Sequence, residues 1–234
     1  MLSAARIIAV AFFSLLVFTA HASAQHPAVD GRLLREGVDT FTVSYGGEVL
    51  GRGIISRSRV MQDDRPQLLQ VYSWHLGFGR IVDSLFSDAA SLRSIRQVRV
   101  IADTTIEVTY RGDSAHVETR PSSDPSARRS MALASGAYSS AAIDALVSGL
   151  PLEENFEAQL RFYFAPPSAR GVEEVSVRVA AHDRVRDRSG SEREAWVVLA
   201  ETSGGGTVYW IDKATRAVLK FDTKEGAALL EFRR

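Results

Sequence analysis

The side chains that could do chemistry are few and scattered. The histidines are His21, His26, His75, His116 and His182. A metal site built on one helix or strand needs His-x-x-x-His or His-x-His spacing, and no pair here has it. The strained Gly-x-Ser-x-Gly turn that presents a nucleophilic serine is absent. Asp63-Asp64 and Glu153-Glu154 are acidic pairs, but side chains of adjacent residues point apart, so they read as solvated carboxylates rather than a general acid and its base. Ser203-Gly204-Gly205-Gly206 could cradle a phosphate, yet no lysine or helix follows it, and a hairpin turn accounts for it better. The Arg111-Gly112-Asp113 triplet is likewise a turn, set where a hairpin requires glycine. With no cysteine in 234 residues, thiolate zinc sites, iron–sulfur clusters and cysteine nucleophiles are excluded. No P-loop, dinucleotide fingerprint or EF-hand loop occurs. No catalytic residue, metal ligand or cofactor is assigned.

Large aromatic side chains remain. Tyr45, Trp74, Tyr110, Phe162, Phe164, Trp196 and Trp210 fall in segments that read as strands. On a curled sheet such residues either fill a core or line a pocket for an apolar ligand. They are the candidate ligand-cavity residues.

The elements that must position them are strands. Phe41, Val43 and Tyr45 alternate with Thr40, Thr42 and Ser44, the period of a half-buried strand. Gly46-Gly47 signals a two-residue hairpin, and Gly51 and Gly53 in the returning strand signal a bulge or bend. Strands are predicted over 67–74, 81–86 and 95–101, with a hairpin of 105–111 and 114–120 about Gly112-Asp113. The stretch 121–130 reads as an exposed loop. Ser139 or Ser140 can cap a helix with the stripe Ile143, Leu146 and Val147, stopped by Gly149 and Pro151. Leu160, Phe162 and Phe164 alternate in a further strand, as do Val175, Val177 and Val179. The charged run 184–194 reads as a hairpin tip, and a meander closes the chain. Asp212 and Arg216 flank a tight turn, where they pair with each other or cap local backbone groups. The expected fold is mainly β (α+β): a large curved antiparallel sheet or half-barrel of about ten strands, with one main helix packed on its concave side or plugging its mouth. Two small sandwiched sheets are the alternative.

The first 24 residues stand apart. One positive charge at Arg6, an apolar run from Ile7 to Ala20 and the small residues of Ala22-Ser23-Ala24 make a secretory signal peptide. Cleavage is expected between Ala24 and Gln25, leaving residues 25–234 as one β-rich domain in the periplasm or outside the cell. The apolar run is short for a spanning helix, so no transmembrane anchor is expected after cleavage. Basic and acidic residues balance at 28 each, which argues against nucleic-acid binding. Only Lys213, Lys220 and Lys224 among the bases are lysines. Arginine suits bidentate contacts to carboxylate or phosphate, and GC-rich bacterial codon usage gives the same bias.

The segments Trp196-Val197-Val198, Tyr209 to Lys220 (YWIDKATRAVLK), Phe41 to Gly51 (FTVSYGGEVLG) and Leu150-Pro151-Leu152 resemble those of a family of exported bacterial β-rich proteins known only as a domain of unknown function. That resemblance implies a curved antiparallel sheet, distantly like the LolA and LolB lipoprotein carriers, which hold acyl chains in a half-barrel; it carries over no catalytic residue. The expected function is a non-enzymatic periplasmic binding or carrier protein holding an apolar, lipid-like ligand. The alternative is a structural or scaffold component of a cell-envelope complex, docking on an envelope protein.

Overall fold

Alternation along the chain becomes a single sheet. The computed structural model describes residues 27–77, 79–121, 127–133, 136–165, 171–187, 189–225 and 228–234; the expected signal peptide, its cleavage site and His26 lie outside them. The strands are β1 (Gly37–Tyr45), β2 (Glu48–Gln62), β3 (Arg65–Leu76), β4 (Gly79–Asp88), β5 (Ser94–Ile101), β6 (Thr104–Arg111), β7 (Ser114–Pro121), β8 (Ala127–Ala132), β9 (Tyr138–Ser139), β10 (Glu157–Phe164), β11 (Gly171–Arg186), β12 (Glu192–Thr202), β13 (Gly205–Asp212), β14 (Val218–Glu225) and β15 (Ala228–Arg233). All join one 15-stranded sheet in the order β8-β7-β6-β5-β4-β3-β2-β1-β15-β14-β13-β12-β11-β10-β9. Neighbours are antiparallel except β9 and β10, which run parallel.

One expectation holds and one changes. The sheet is continuous, as expected, rather than split into sandwiched halves, and among the described residues it has 15 strands rather than about ten. Part of the difference is that strands run on where charge suggested loops. β11 and β12 pair through Arg184↔Glu194 and Arg186↔Glu192, so the charged run is mostly ladder whose two faces are both wet. β8 likewise occupies the end of the expected 121–130 loop and pairs with β7; residues 122–126 are outside the described set.

The sheet rolls beyond closure. Leu160 and Phe162 on β10 belong to the main core, and their neighbour Tyr163 must therefore point to the opposite face. There Tyr163 and Ala165 pack with Ile106, Val108, Ala115 and Val117 in a second cluster. β6 and β7 thus lie over the back of β10, burying it twice. Polar contacts seal the seam. Ser139 donates its N–H to Ser94 Oγ at 3.0 Å and its hydroxyl to Gln97 Oε1 at 2.8 Å. Tyr110 donates to the same Gln97 oxygen at 3.1 Å.

One end of the roll is plugged. Ser139 caps a 3-10 turn, Ser140–Ala142, by accepting from Ala141 N–H at 3.2 Å, and the turn leads into α1 (Ile143–Gly149). Leu150 is extended, as the residue before Pro151 must be, which ends the helix. Every residue from Asp144 to Gly149 is buried. The lead-in segment covers the helix end, with Asp30 N–H donating to Gly149 O at 2.9 Å. The helix therefore lies inside the roll as a stopper at one end, one of the two positions expected for it.

Candidate functional site

Between the stopper and the open end the roll encloses a cavity of about 560 Å³, within the range typical of small-molecule sites. One wall comes from β2–β5: Ile55, Tyr72, Trp74, Ile81, Asp83, Arg99 and Ile101. The facing wall comes from β12–β14: Ala200, Thr202, Thr207, Tyr209, Phe221, Thr223 and Lys224. Phe164 closes the side, Ser140, Ala141, Ile143 and Asp144 form the floor, and Gly204-Gly205-Gly206 rim the mouth. Most of these residues are inward positions of alternating strands, so strand period alone fixes which side chains meet the interior.

Trp74 owes its place to a glycine. A Cβ at Gly53 would stand 1.9 Å from the Trp74 ring, so the indole lies across bare backbone. The nearby bulge, where the register passes from Val43↔Gly51 to Ser44↔Val49, adds the bend. Gly53→Val is expected to drive the indole off its seat and to cost about 1–3 kcal/mol, the range for overpacking. A urea melt and the Trp emission maximum together check it; an unchanged melt and spectrum would show that the ring moves freely.

The floor carries a buried charged network. Arg57 donates to Asp144 on α1 and, at 3.4 Å, to Asp39 on β1. Tyr72 donates its hydroxyl to Asp144 and accepts from Gln70 Nε2 at 2.8 Å. The Arg57 side chain is 7% exposed. Burial works against its charge, yet Asp144, Tyr72 and Asp39 together raise its pKa. Halfway up the wall Asp83 accepts two hydrogen bonds from Gln97 Nε2, both 2.9 Å, and two from Arg99, at 2.7 and 2.5 Å.

Buried phenols at the cavity and at the seam are held neutral. Burial, and then Asp144 beside it, pushes Tyr72 well above the usual 10.0; burial is also the first cause of the upward shifts of Tyr110 and Tyr209. Unfolded, these phenols ionise near 10.0. A raised native pKa gives stability that is full below the unfolded value and is lost as the pH climbs above it. Stability is therefore expected to fall above about pH 10, with these phenolate absorbances appearing only as the protein unfolds. An ultraviolet titration beside a circular-dichroism melt reads both; early, reversible ionisation of all the tyrosines would overturn it.

Of the aromatic candidates, Trp74 and Phe164 line the cavity. Phe162 is fully buried beside Tyr138, ring centroids 6.3 Å apart, rather than at the cavity surface. Tyr110 belongs to the overlap seam with Tyr163, not to the cavity. Tyr45 is 48% exposed at the end of the first hairpin. Trp196 sits beside His182 and under Lys213, whose Nζ is 4.1 Å from the ring centre. Trp210 is on the outer face, donating to Asp183 at 2.8 Å beneath Lys220; its neighbour Tyr209 takes the inward position. Arg57, Tyr72, Asp83, Arg99 and Asp144 are the residues that sequence reading passed over. Their signal was present as polar residues in phase with apolar ones: Ile55 and Arg57, Ile81 and Asp83, Arg99 and Ile101.

Asp212 and Arg216 meet through the backbone, Arg216 N–H donating to Asp212 O at 2.9 Å, and not through their side chains. Asp212 Oδ1 accepts from Ala214 and Thr215 N–H at 2.9 and 2.7 Å, capping the turn, while Arg216 reaches Leu150 O at 3.5 Å. Among the described residues no group of three acidic or histidine side chains could hold a metal ion, and no helix is long and apolar enough to cross a membrane.

Fold and cavity define a mainly β protein, a single large sheet rolled around an apolar cavity. The chain belongs to a family of proteins of unknown function, DUF3108, whose model matches residues 40–233. No curated protein matches it significantly. Among solved structures it is similar to a beta-barrel-like protein of the domain of unknown function DUF1849 from Brucella abortus. The two are 11% identical with a TM-score of 0.47, covering 84% of this chain and 94% of the other.

Proposed function

We propose that the protein is a non-enzymatic binding or carrier protein of the bacterial periplasm that holds a lipid-like ligand in the rolled sheet. The observation that carries this reading is the cavity of about 560 Å³, walled by Trp74, Ile81, Phe164, Tyr209 and Phe221 and stoppered at one end by α1. An interior left unfilled by its own side chains forgoes dispersion contacts that a close-packed core would make. An acyl or alkyl chain supplies them. The signal-peptide pattern supports export, and the mostly apolar cavity lining supports an acyl-chain cargo.

Native mass spectrometry of protein purified from an envelope fraction is expected to show a bound species that is released on denaturation. Ala200 is buried on the cavity wall, and Ala200→Phe is expected to abolish that species while circular dichroism shows the sheet intact. Wild-type protein free of any guest, or an A200F variant that loads as well as wild type, would sink the proposal.

A further inference from the structure

The cavity is apolar but not featureless, and its charged groups are unequally committed. The acids in the lining are Asp83 and Asp144, the bases Arg99 and Lys224. Asp144 is taken up by Arg57 and Tyr72. Asp83 is taken up by Gln97 and Arg99, through four contacts of 2.5 to 2.9 Å. Neither carboxylate has acceptor capacity that calls for a cationic guest.

Arg99 differs. It uses Nε and Nη2, both on Asp83 Oδ2, whereas a guanidinium carries five N–H donors in a planar fork. Its Nη1 donates to no partner among the described residues, and its side chain is 21% exposed, so a guest can reach it. The fork is also held still. Asp83 fixes one edge, Gln97 fixes Asp83, and Ser139 and Tyr110 fix Gln97. Lys224 is exposed and shares the outer face of β14 with Lys220, so among the described lining residues Arg99 is the base that faces inward. Arg99 stands two residues in from Ile101, the last residue of β5 at the open end, a distance of about 7 Å along a strand. Deeper still lies the floor with Ile143.

We infer that the cavity selects a single-chain anionic amphiphile, an alkyl chain ending in a carboxylate or phosphate. Its head accepts hydrogen bonds from Arg99 and its tail runs inward among Tyr209, Phe221 and Ile143. This rests on the carrier reading and adds the head-group chemistry. A positioned guanidinium favours such an anion over a hydroxyl of equal chain length, because charge-assisted bidentate contacts are the stronger ones.

The test uses the folded protein, freed of co-purifying lipid, titrated calorimetrically with lauric acid, n-dodecyl phosphate and 1-dodecanol. At least one of the two anions is expected to bind about tenfold tighter than the alcohol, and Arg99→Met is expected to remove that preference. Which anion wins distinguishes a carboxylate from a phosphate head. Equal binding of all three to wild type overturns the inference and leaves the carrier reading standing, and this comparison needs no variant to fold. Retention of the anion preference in R99M overturns it too. Binding of none of the three overturns both.

Discussion

Replacing Asp144 with alanine is expected to destabilise the protein by roughly 3–5 kcal/mol, the cost of removing one partner from a buried ion pair. Asp144 is the acceptor at the centre of the floor network. Arg57 and Tyr72 both donate to it, from β2 and β3, while it rides on α1. Without it the Arg57 guanidinium, 7% exposed, keeps only Asp39 at 3.4 Å, and the Tyr72 hydroxyl is left without its acceptor. The stopper also loses its only side-chain hydrogen bonds to the wall among the described residues, so the effect on the cavity floor is direct. For a domain of this size each kcal/mol moves the thermal midpoint by about 2–4 °C, so a fall of the order of 10 °C is expected. Asp144→Asn keeps an acceptor for Tyr72 but no charge for Arg57, and belongs between the two. The paired change Arg57→Met with Asp144→Leu is expected to recover much of the loss, because two well-packed apolar groups need no compensation. Urea melts of the variants measure each step. A loss below about 1 kcal/mol for Asp144→Ala would show that water screens the network as it does a surface pair.

What was legible in the sequence was local. Phe41, Val43 and Tyr45 marked β1, and Gly46-Gly47 marked its turn, where both glycines adopt positive φ. Ser139 and Ser140 marked the approach to the helix, Ser139 capping the 3-10 turn that leads into α1, and Gly149 with Pro151 marked its end. These features depend on residues a few positions apart, and strand period and capping chemistry read them directly. Less legible was how the sheet closes. Nothing local at Tyr163 says that the back of its strand is buried under β6 and β7; that depends on strands far away in sequence. Register shifts at Val179/Ala181 and Trp210/Ile211 likewise make it unsafe to follow one face from strand to strand by counting. Falling in a strand does not tell which face an aromatic takes. Trp210 shows this, since an indole stacked under Lys220 and bonded to Asp183 is adequately served on the outside. The inward arginines are the opposite case: codon usage explains their number as well as bidentate chemistry does, yet Arg57 and Arg99 hold the floor and the wall.

Phe221→Ala is the second change with a large expected effect, and it separates a core residue from a cavity wall. Phe221 stacks on Phe232 at 4.1 Å and 10°, lies 5.7 Å from Tyr209 and meets Phe41 edge-on at 5.5 Å. It is 8% exposed, and what it exposes is cavity surface. Truncation removes the ring from this cluster and leaves a void, which for phenylalanine costs about 3–5 kcal/mol. In a closed core that loss is permanent, because rigid neighbours collapse only partly. Here the void opens into a cavity already present, and a bound alkyl chain can spread into it. The ligand-free variant is therefore expected to lose about 3–4 kcal/mol against wild type. Saturation with an amphiphile bulkier or longer than the one that binds wild type best is expected to stabilise the variant more than wild type, since linkage adds RT ln(1 + [L]/Kd) and the enlarged pocket lowers Kd for such a chain. Thermal melts with and without a chain-length series of ligand give both quantities. Equal ligand-induced shifts in the two proteins would mean that Phe221 belongs to the core alone and that the tail does not reach it.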